Sequence, residues 1–211
     1  MRILTFVFAL IAAVSACAQE PNSVELYQKG VHYKILPAAV PTVTPGKIEV
    51  TEAFAYSCGH CERFEPLVLN WKKGMADDVA FVKLPVIWRK PMESLARIMY
   101  TGEALGISDQ VNARVFKAMH KEKKQLANEA EIAAIFKELG VDAEKFKKTY
   151  KSFGVSSKVQ QADARTRSMK ITGTPQLIVD GRYSVSATKE LGHAGMLKVV
   201  DFLIEKVRSE R

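Results

Sequence analysis

Two periodicities alternate along the chain. Apolar and β-branched residues fill 47–56, where Lys47-Ile48-Glu49-Val50-Thr51-Glu52-Ala53-Phe54-Ala55-Tyr56 reads as a strand, and 79–84, a second strand stopped by Pro85. Between them 62–71 can continue as a helix, which makes a β-α-β unit. A short strand is expected earlier, at 33–36, followed by a proline-rich connection over 37–46. From about 93 to 154 the spacing becomes helical: Leu95, Ile98, Met99, Ala104 and Leu105, then Val111, Val115, Phe116 and Met119, then Ile132, Ile135, Phe136 and Leu139. Gly102, Gly106, Gly140 and Gly154 punctuate this block, and a long helical stretch runs on to about Met169. Strands return at 176–179 and 182–185, with Asp180-Gly181 between them as a two-residue hairpin signal. A terminal helix over 192–207 places Leu197, Val200, Leu203, Ile204 and Val207 on one face. The pattern predicts an α/β fold in which one small domain, 22–90 and 158–211, is interrupted by an all-helical insertion at 91–157.

The first residues change the picture of where this domain works. Arg2, an apolar stretch over 3–14, and the small residues Ser15, Ala16 and Ala18 read as a signal peptide at 1–18, too short to span a bilayer permanently. Two processing readings compete. Ala16-Cys17-Ala18 fits a cleavage site releasing Gln19, whereas Val14-Ser15-Ala16-Cys17 fits a lipoprotein box with a signal at 1–16 and a lipid anchor on Cys17. Both predict export to a space where disulfides persist, and both leave Cys58 and Cys61 as the free redox partners. The net charge of +8 comes partly from lysine-rich stretches at 121–124 and 145–148, whose apolar and acidic neighbours mark a solvated helix face. No aromatic-basic motif accompanies them, so nucleic acid is not an expected partner.

The candidate chemistry sits at Cys58-Gly59-His60-Cys61, between the end of a strand and the start of a helix. Unpaired N–H groups and the positive end of the helix macrodipole stabilise a thiolate there and lower the pKa of Cys58. His60 can add positive charge or a hydrogen bond to the same sulfur. A structural zinc site needs four ligands, yet there is no second Cys-X-X-Cys or paired His-X-X-X-His, and His32, His120 and His193 are scattered without ligand spacing. No metal is therefore expected. A purely structural disulfide would close too short a loop to constrain the unfolded chain much. Thiol-disulfide exchange is the reading that remains. In Gly173-Thr174-Pro175 the proline precedes a strand, either as an ordinary trans residue on an edge or in a cis bond that leaves the backbone of Thr174 free to pair with a bound peptide. On the residues alone the trans form is the commoner state.

These residues, taken with Tyr27-Gln28-Lys29-Gly30-Val31-His32-Tyr33, Phe64-Glu65-Pro66 and Val179-Asp180-Gly181-Arg182-Tyr183, make the chain resemble the DsbA family of periplasmic thiol-disulfide oxidoreductases. The resemblance covers nearly all of the chain after the signal peptide. It implies a thioredoxin fold with an inserted helical domain, Cys58 as the nucleophile, Cys61 as its buried partner and His60 as the residue that tunes Cys58. It also implies a cis bond at Pro175, which with Thr174 would bind substrate, and a supporting charged network of Glu52, Glu65 and Lys83. The implied cofactor is none beyond the Cys58–Cys61 disulfide. The implied partners are reduced, unfolded exported proteins and a DsbB-like membrane quinone reductase that reoxidises the pair; a monomer in the periplasm is expected. Two departures bear on poise: Gly59 stands where many DsbA proteins have proline, and Thr174 where they often have valine. Both are residue choices typical of disulfide isomerases, so an isomerase or reductase of the same fold is the first rival, and a non-redox peptide-binding chaperone using the groove around Pro175 is the second.

Overall fold

Strand β2 (Ile48–Phe54) is buried along its whole length, because both of its edges and both of its faces are covered. The computed structural model describes residues 26–211, so the signal peptide, its two processing readings and Cys17 lie outside the described residues. The sheet contains β1 (Lys34–Ile35), β2, β3 (Val79–Pro85), β4 (Gln176–Val179) and β5 (Tyr183–Ser186), in the order β1-β5-β4-β2-β3. β3 runs parallel to β2, with Ile48 opposite Val79 and Glu52 opposite Lys83, and helix α1 (Gly59–Lys72) is the crossover between them. β4 lies antiparallel on the other side of β2, placing Leu177 opposite Glu52.

The hairpin from β4 to β5 turns at Asp180 and Gly181, with φ of 52° and 63°, the left-handed pair that such a turn requires. A Cβ at Gly181 would stand 1.9 Å from the carbonyl oxygen of Val40, so only glycine fits against that connection.

Between β3 and β4 the chain is helical: α2 (Pro91–Ala104), α3 (Ser108–Phe116) running into a π-helical turn at Lys117–Lys121, α4 (Glu129–Glu138), α5 (Ala143–Tyr150) and α6 (Phe153–Ser168). Asn128, Asp142 and Ser152 each cap a helix by accepting the main-chain N–H three residues on, which explains where α4, α5 and α6 start. α6 is unbroken across residue 157, packing against α2 and reaching β3. Helix α7 (Gly192–Ser209) closes the fold.

Two apolar clusters hold these layers together. On one face of the sheet Phe64 and Val68 of α1 and Val200 and Leu203 of α7 pack on Ile48, Val50 and Leu177. On the other, Ile98, Val111, Phe116, Ile132 and Phe136 of the helical block pack with Ala53 and Leu84. Each fully buried aliphatic or aromatic side chain of this kind contributes about 1.5–3 kcal/mol. The strand expected over 47–56 ends at Phe54, because Ala55 accepts the main-chain N–H of Cys58 at 3.0 Å and turns the chain off the sheet. The helix consequently starts at Gly59, directly after Cys58.

Candidate active site

That turn sets the position of Cys58. It is the N-cap of α1, with an extended backbone (φ −89°, ψ 114°). Its sulfur is half-buried at the rim, while Cys61, one turn into the helix, is wholly buried; both are thiols in this structure. The Cys58 pKa falls from 9.0 to about 4. The hydrogen bond from the Cys61 thiol is the main cause, and the Thr174 side chain and the N–H groups of Cys61 and His60 add to it against the opposing effect of burial. Cys61 moves the other way: its role as donor to Cys58, followed by burial, pushes its thiol well above the ordinary value. The two sulfurs thus divide the work, one a stabilised anion and the other a held proton.

Facing them, the bond between Thr174 and Pro175 is cis, and the thiol of Cys58 donates to the main-chain oxygen of Thr174 at 3.3 Å. While Cys58 carries its proton, the Thr174 carbonyl is thereby engaged.

The structure also brings together Glu52, Glu65 and Lys83. The Lys83 ammonium donates to Glu52 Oε2 at 2.8 Å and to Glu65 Oε2 at 2.6 Å, and lies 4.5 Å from the centre of the Phe54 ring. The two carboxylates hold the Lys83 pKa above its ordinary value despite burial. With two acids sharing one ammonium, burial pushes the carboxyl of Glu52 upward, and its Oε1 has no hydrogen-bond partner among the described residues. A groove of about 500 Å³, lined by Phe81, Tyr100 and Arg165 among others, reaches Glu65 and Lys83.

A second buried carboxylate on β2 was not singled out from the sequence. Glu49, three residues before Glu52 and so on the opposite face of the sheet, accepts from Arg165 Nη2 at 2.7 Å, the Thr51 hydroxyl at 2.8 Å and the Val43 N–H at 2.6 Å. Despite burial, the Thr51 hydroxyl, the Val43 N–H and Arg165 together hold its pKa below the ordinary value. It ties β2 to the C-terminal part of α6.

Two of the scattered histidines also converge on the site. His120, on the π-helical turn, donates from Nε2 to the carbonyl of Tyr56 at 2.7 Å, and the Tyr56 hydroxyl donates to Asn112 of α3. The loop leading to Cys58 is therefore tied twice to the helical block. His193, in the first turn of α7, stands with its ring centre 5.6 Å from that of His60. His60 also accepts at Nδ1 from Arg63 Nη2, 3.2 Å away. Gly59 has room: an added Cβ would meet Arg63 Nη1 at 3.5 Å and His120 Cε1 at 4.0 Å, both ordinary contacts. Among the described residues no three His, Cys, Asp or Glu side chains gather as metal ligands do.

Comparison with known proteins places this architecture. Residues 77–194 match the DSBA-like thioredoxin domain family. The thiol:disulfide interchange protein DsbA of Pseudomonas aeruginosa is 36% identical over 207 residues, covering 98% of this chain and 96% of its own. The crystal structure of the Pseudomonas aeruginosa protein superimposes with a TM-score of 0.82 at 38% identity, over 87% of this chain and 96% of that one. A DsbA oxidoreductase of Neisseria meningitidis superimposes with a TM-score of 0.76 at 30% identity, over 90% and 98%. With the thioredoxin-like sheet, the inserted helices and 36% identity over nearly the full length in agreement, the chain belongs to the DsbA family of thiol:disulfide oxidoreductases.

Proposed function

We propose that the chain is a disulfide donor that oxidises newly exported, reduced proteins through Cys58. The observation that carries this reading is the asymmetry of the two sulfurs: a rim thiol whose pKa is near 4 beside a buried thiol held protonated. Stabilising the reduced form makes the oxidised form a stronger oxidant.

In the disulfide form, a substrate thiolate attacks Cys58 Sγ. The Cys58–Cys61 bond breaks, Cys61 leaves with the electron pair and takes up a proton, and a mixed disulfide forms on Cys58. A second substrate thiolate then attacks the substrate sulfur of that mixed disulfide, which releases Cys58 as its stabilised thiolate. Two electrons pass from the substrate dithiol to the cysteine pair. His60 tunes Cys58, Thr174 and Pro175 present main chain to the bound peptide, and Glu52, Glu65 and Lys83 form the charged support beneath the pair. The Cys58–Cys61 disulfide serves as the redox group. A DsbB-like membrane quinone reductase accepts the electrons and restores the disulfide.

The enzyme acts as a monomer in the periplasm, and under the lipoprotein reading it is anchored there through Cys17. No helix of the described residues is long and apolar enough to cross a membrane.

Equilibration of the mature protein with glutathione buffers, with titration of the Cys58 thiolate on the same sample, tests the reading. A strongly oxidising couple with an acidic Cys58 supports a donor. A reducing couple with a near-ordinary Cys58 assigns the chain to reductase or isomerase work.

A further inference from the structure

His60, two residues after Cys58 in the first turn of α1, is exposed. An exposed side chain ordinarily exchanges among rotamers, so a tuning group in that position acts on the sulfur only for part of the time. Here two neighbours restrain it. Arg63, on its own helix, donates from Nη2 to His60 Nδ1 at 3.2 Å. Guanidinium groups only donate, so Nδ1 is the acceptor and the ring proton of neutral His60 is carried on Nε2. From the far end of the chain, His193 stands edge-on, its ring plane at 87° to that of His60 and the centroids 5.6 Å apart. His193 is itself seated, half-buried, with its ring centre 5.4 Å from that of the fully buried Phe64.

We propose that His193 is a positioning residue for disulfide exchange: together with Arg63 it clamps the imidazole of His60 beside Cys58, so that the stability of the Cys58 thiolate depends on a residue of α7. The proposal rests on the disulfide-donor reading above and deepens it. The titratable groups that face His193 are His60 and Arg63 of α1 and Cys58 at its N-cap. Burial first, then His60 and Arg63, lower the pKa of His193 from 6.5, and only the Cys58 thiolate opposes them. His193 is accordingly a neutral ring near pH 7 and acts through shape and edge contact rather than charge. A phenyl ring can supply both.

The test compares the mature wild type with His193→Ala and His193→Phe, reading the equilibrium constant against glutathione and the thiolate titration of Cys58. His193→Ala is expected to shift the constant about three- to tenfold toward a less oxidising couple, tenfold being 29.6 mV for a two-electron pair, and to raise the Cys58 pKa in step. His193→Phe is expected to stay within about twofold of wild type on the same scale. Thermal unfolding of each variant separates this effect from lost stability, which alone does not move both readouts together. An unmoved His193→Ala, or a His193→Phe as impaired as His193→Ala, overturns the clamp. A wild type that equilibrates as a reductant overturns the donor reading itself, so the two failures are distinguishable.

Discussion

Cys58 donates its thiol proton to the main-chain oxygen of Thr174, 3.3 Å away and 116 residues later in the chain. That contact exists only while the sulfur carries its proton. Once the thiolate forms, two acceptors would face each other, and the groups that stabilise the anion are the Cys61 thiol, the Thr174 side chain and the N–H groups of Cys61 and His60. Under the substrate-binding role proposed for Thr174, its carbonyl is then available to an incoming peptide N–H.

A pH dependence follows from the Cys58 value. A thiol whose folded pKa is depressed from 9.0 to about 4 stabilises the folded dithiol form fully above the unfolded value and loses that contribution as pH falls through about 4. Groups whose pKa is the same in both redox forms cancel in their difference. The dithiol protein should therefore melt above the disulfide protein at pH 7, with the gap shrinking on acidification and closing below pH 4. Paired thermal melts of the two forms across pH check this. Above pH 9 the raised Cys61 acts in the opposite sense.

Lys83→Met should be costly at neutral pH. It strands Glu52, wholly buried, and Glu65 without their shared ammonium, and breaking a buried pair by removing one partner costs about 3–5 kcal/mol. Protonation of the stranded Glu52 carboxyl, whose pKa burial already raises, relieves the cost, so chemical denaturation should show a smaller deficit at pH 4 than at pH 7. A deficit independent of pH would mean that packing against Phe54 dominates.

Gly59→Pro should be tolerated. Gly59 is the first residue of α1, where proline is favoured, its φ is not in the left-handed region, and the space around it is open. Restricting the unfolded chain at a compatible position adds about 0.4–1 kcal/mol, which denaturant unfolding of the variant would resolve. A loss of stability would reveal a need for the Gly59 N–H.

His120→Phe removes the donor to the Tyr56 carbonyl while keeping an aromatic ring in place. Leaving a buried acceptor unpaired costs about 1–3 kcal/mol. The same variant should speed amide hydrogen exchange at Ser57 and Cys58, because one of the two ties on that loop is gone. Unchanged exchange there would show that the Tyr56–Asn112 bond holds the loop by itself.

What the sequence disclosed was what is local. Strand alternation, the helical spacing of the central block, Asp180-Gly181 and the Cys-X-X-Cys spacing are each written in consecutive residues, and the family, fold and enzyme class followed from them. The strand end at Phe54 was misjudged because Ala55 and Tyr56 have strand-like side chains, and the Ala55–Cys58 turn that overrides them leaves no compositional mark. Glu49 and Arg165 meet across 116 residues, Tyr56 meets His120 across 64, and His193 meets His60 only when α7 docks on α1. A lone histidine or a single carboxylate on a strand carries no period or spacing that announces such a partner. Lys83 was identifiable only through the family resemblance, since its two acids lie on different elements.

The strand order has a consequence for the timing of maturation. β2 can pair with β3 as soon as α1 has been made, but its other neighbour, β4, begins at Gln176, after all of the inserted helices. A chain synthesised from its N-terminus thus carries Cys58 and Cys61 for more than half its length before Thr174 and Pro175 arrive to face them. Throughout that interval one edge of β2 is unpaired and the cysteines lack their opposing wall. Such long-range closure is slow to nucleate. A nascent or truncated chain ending before β4 would expose a reactive dithiol beside an open strand, a species prone to mispairing and in need of protection until the last strands arrive.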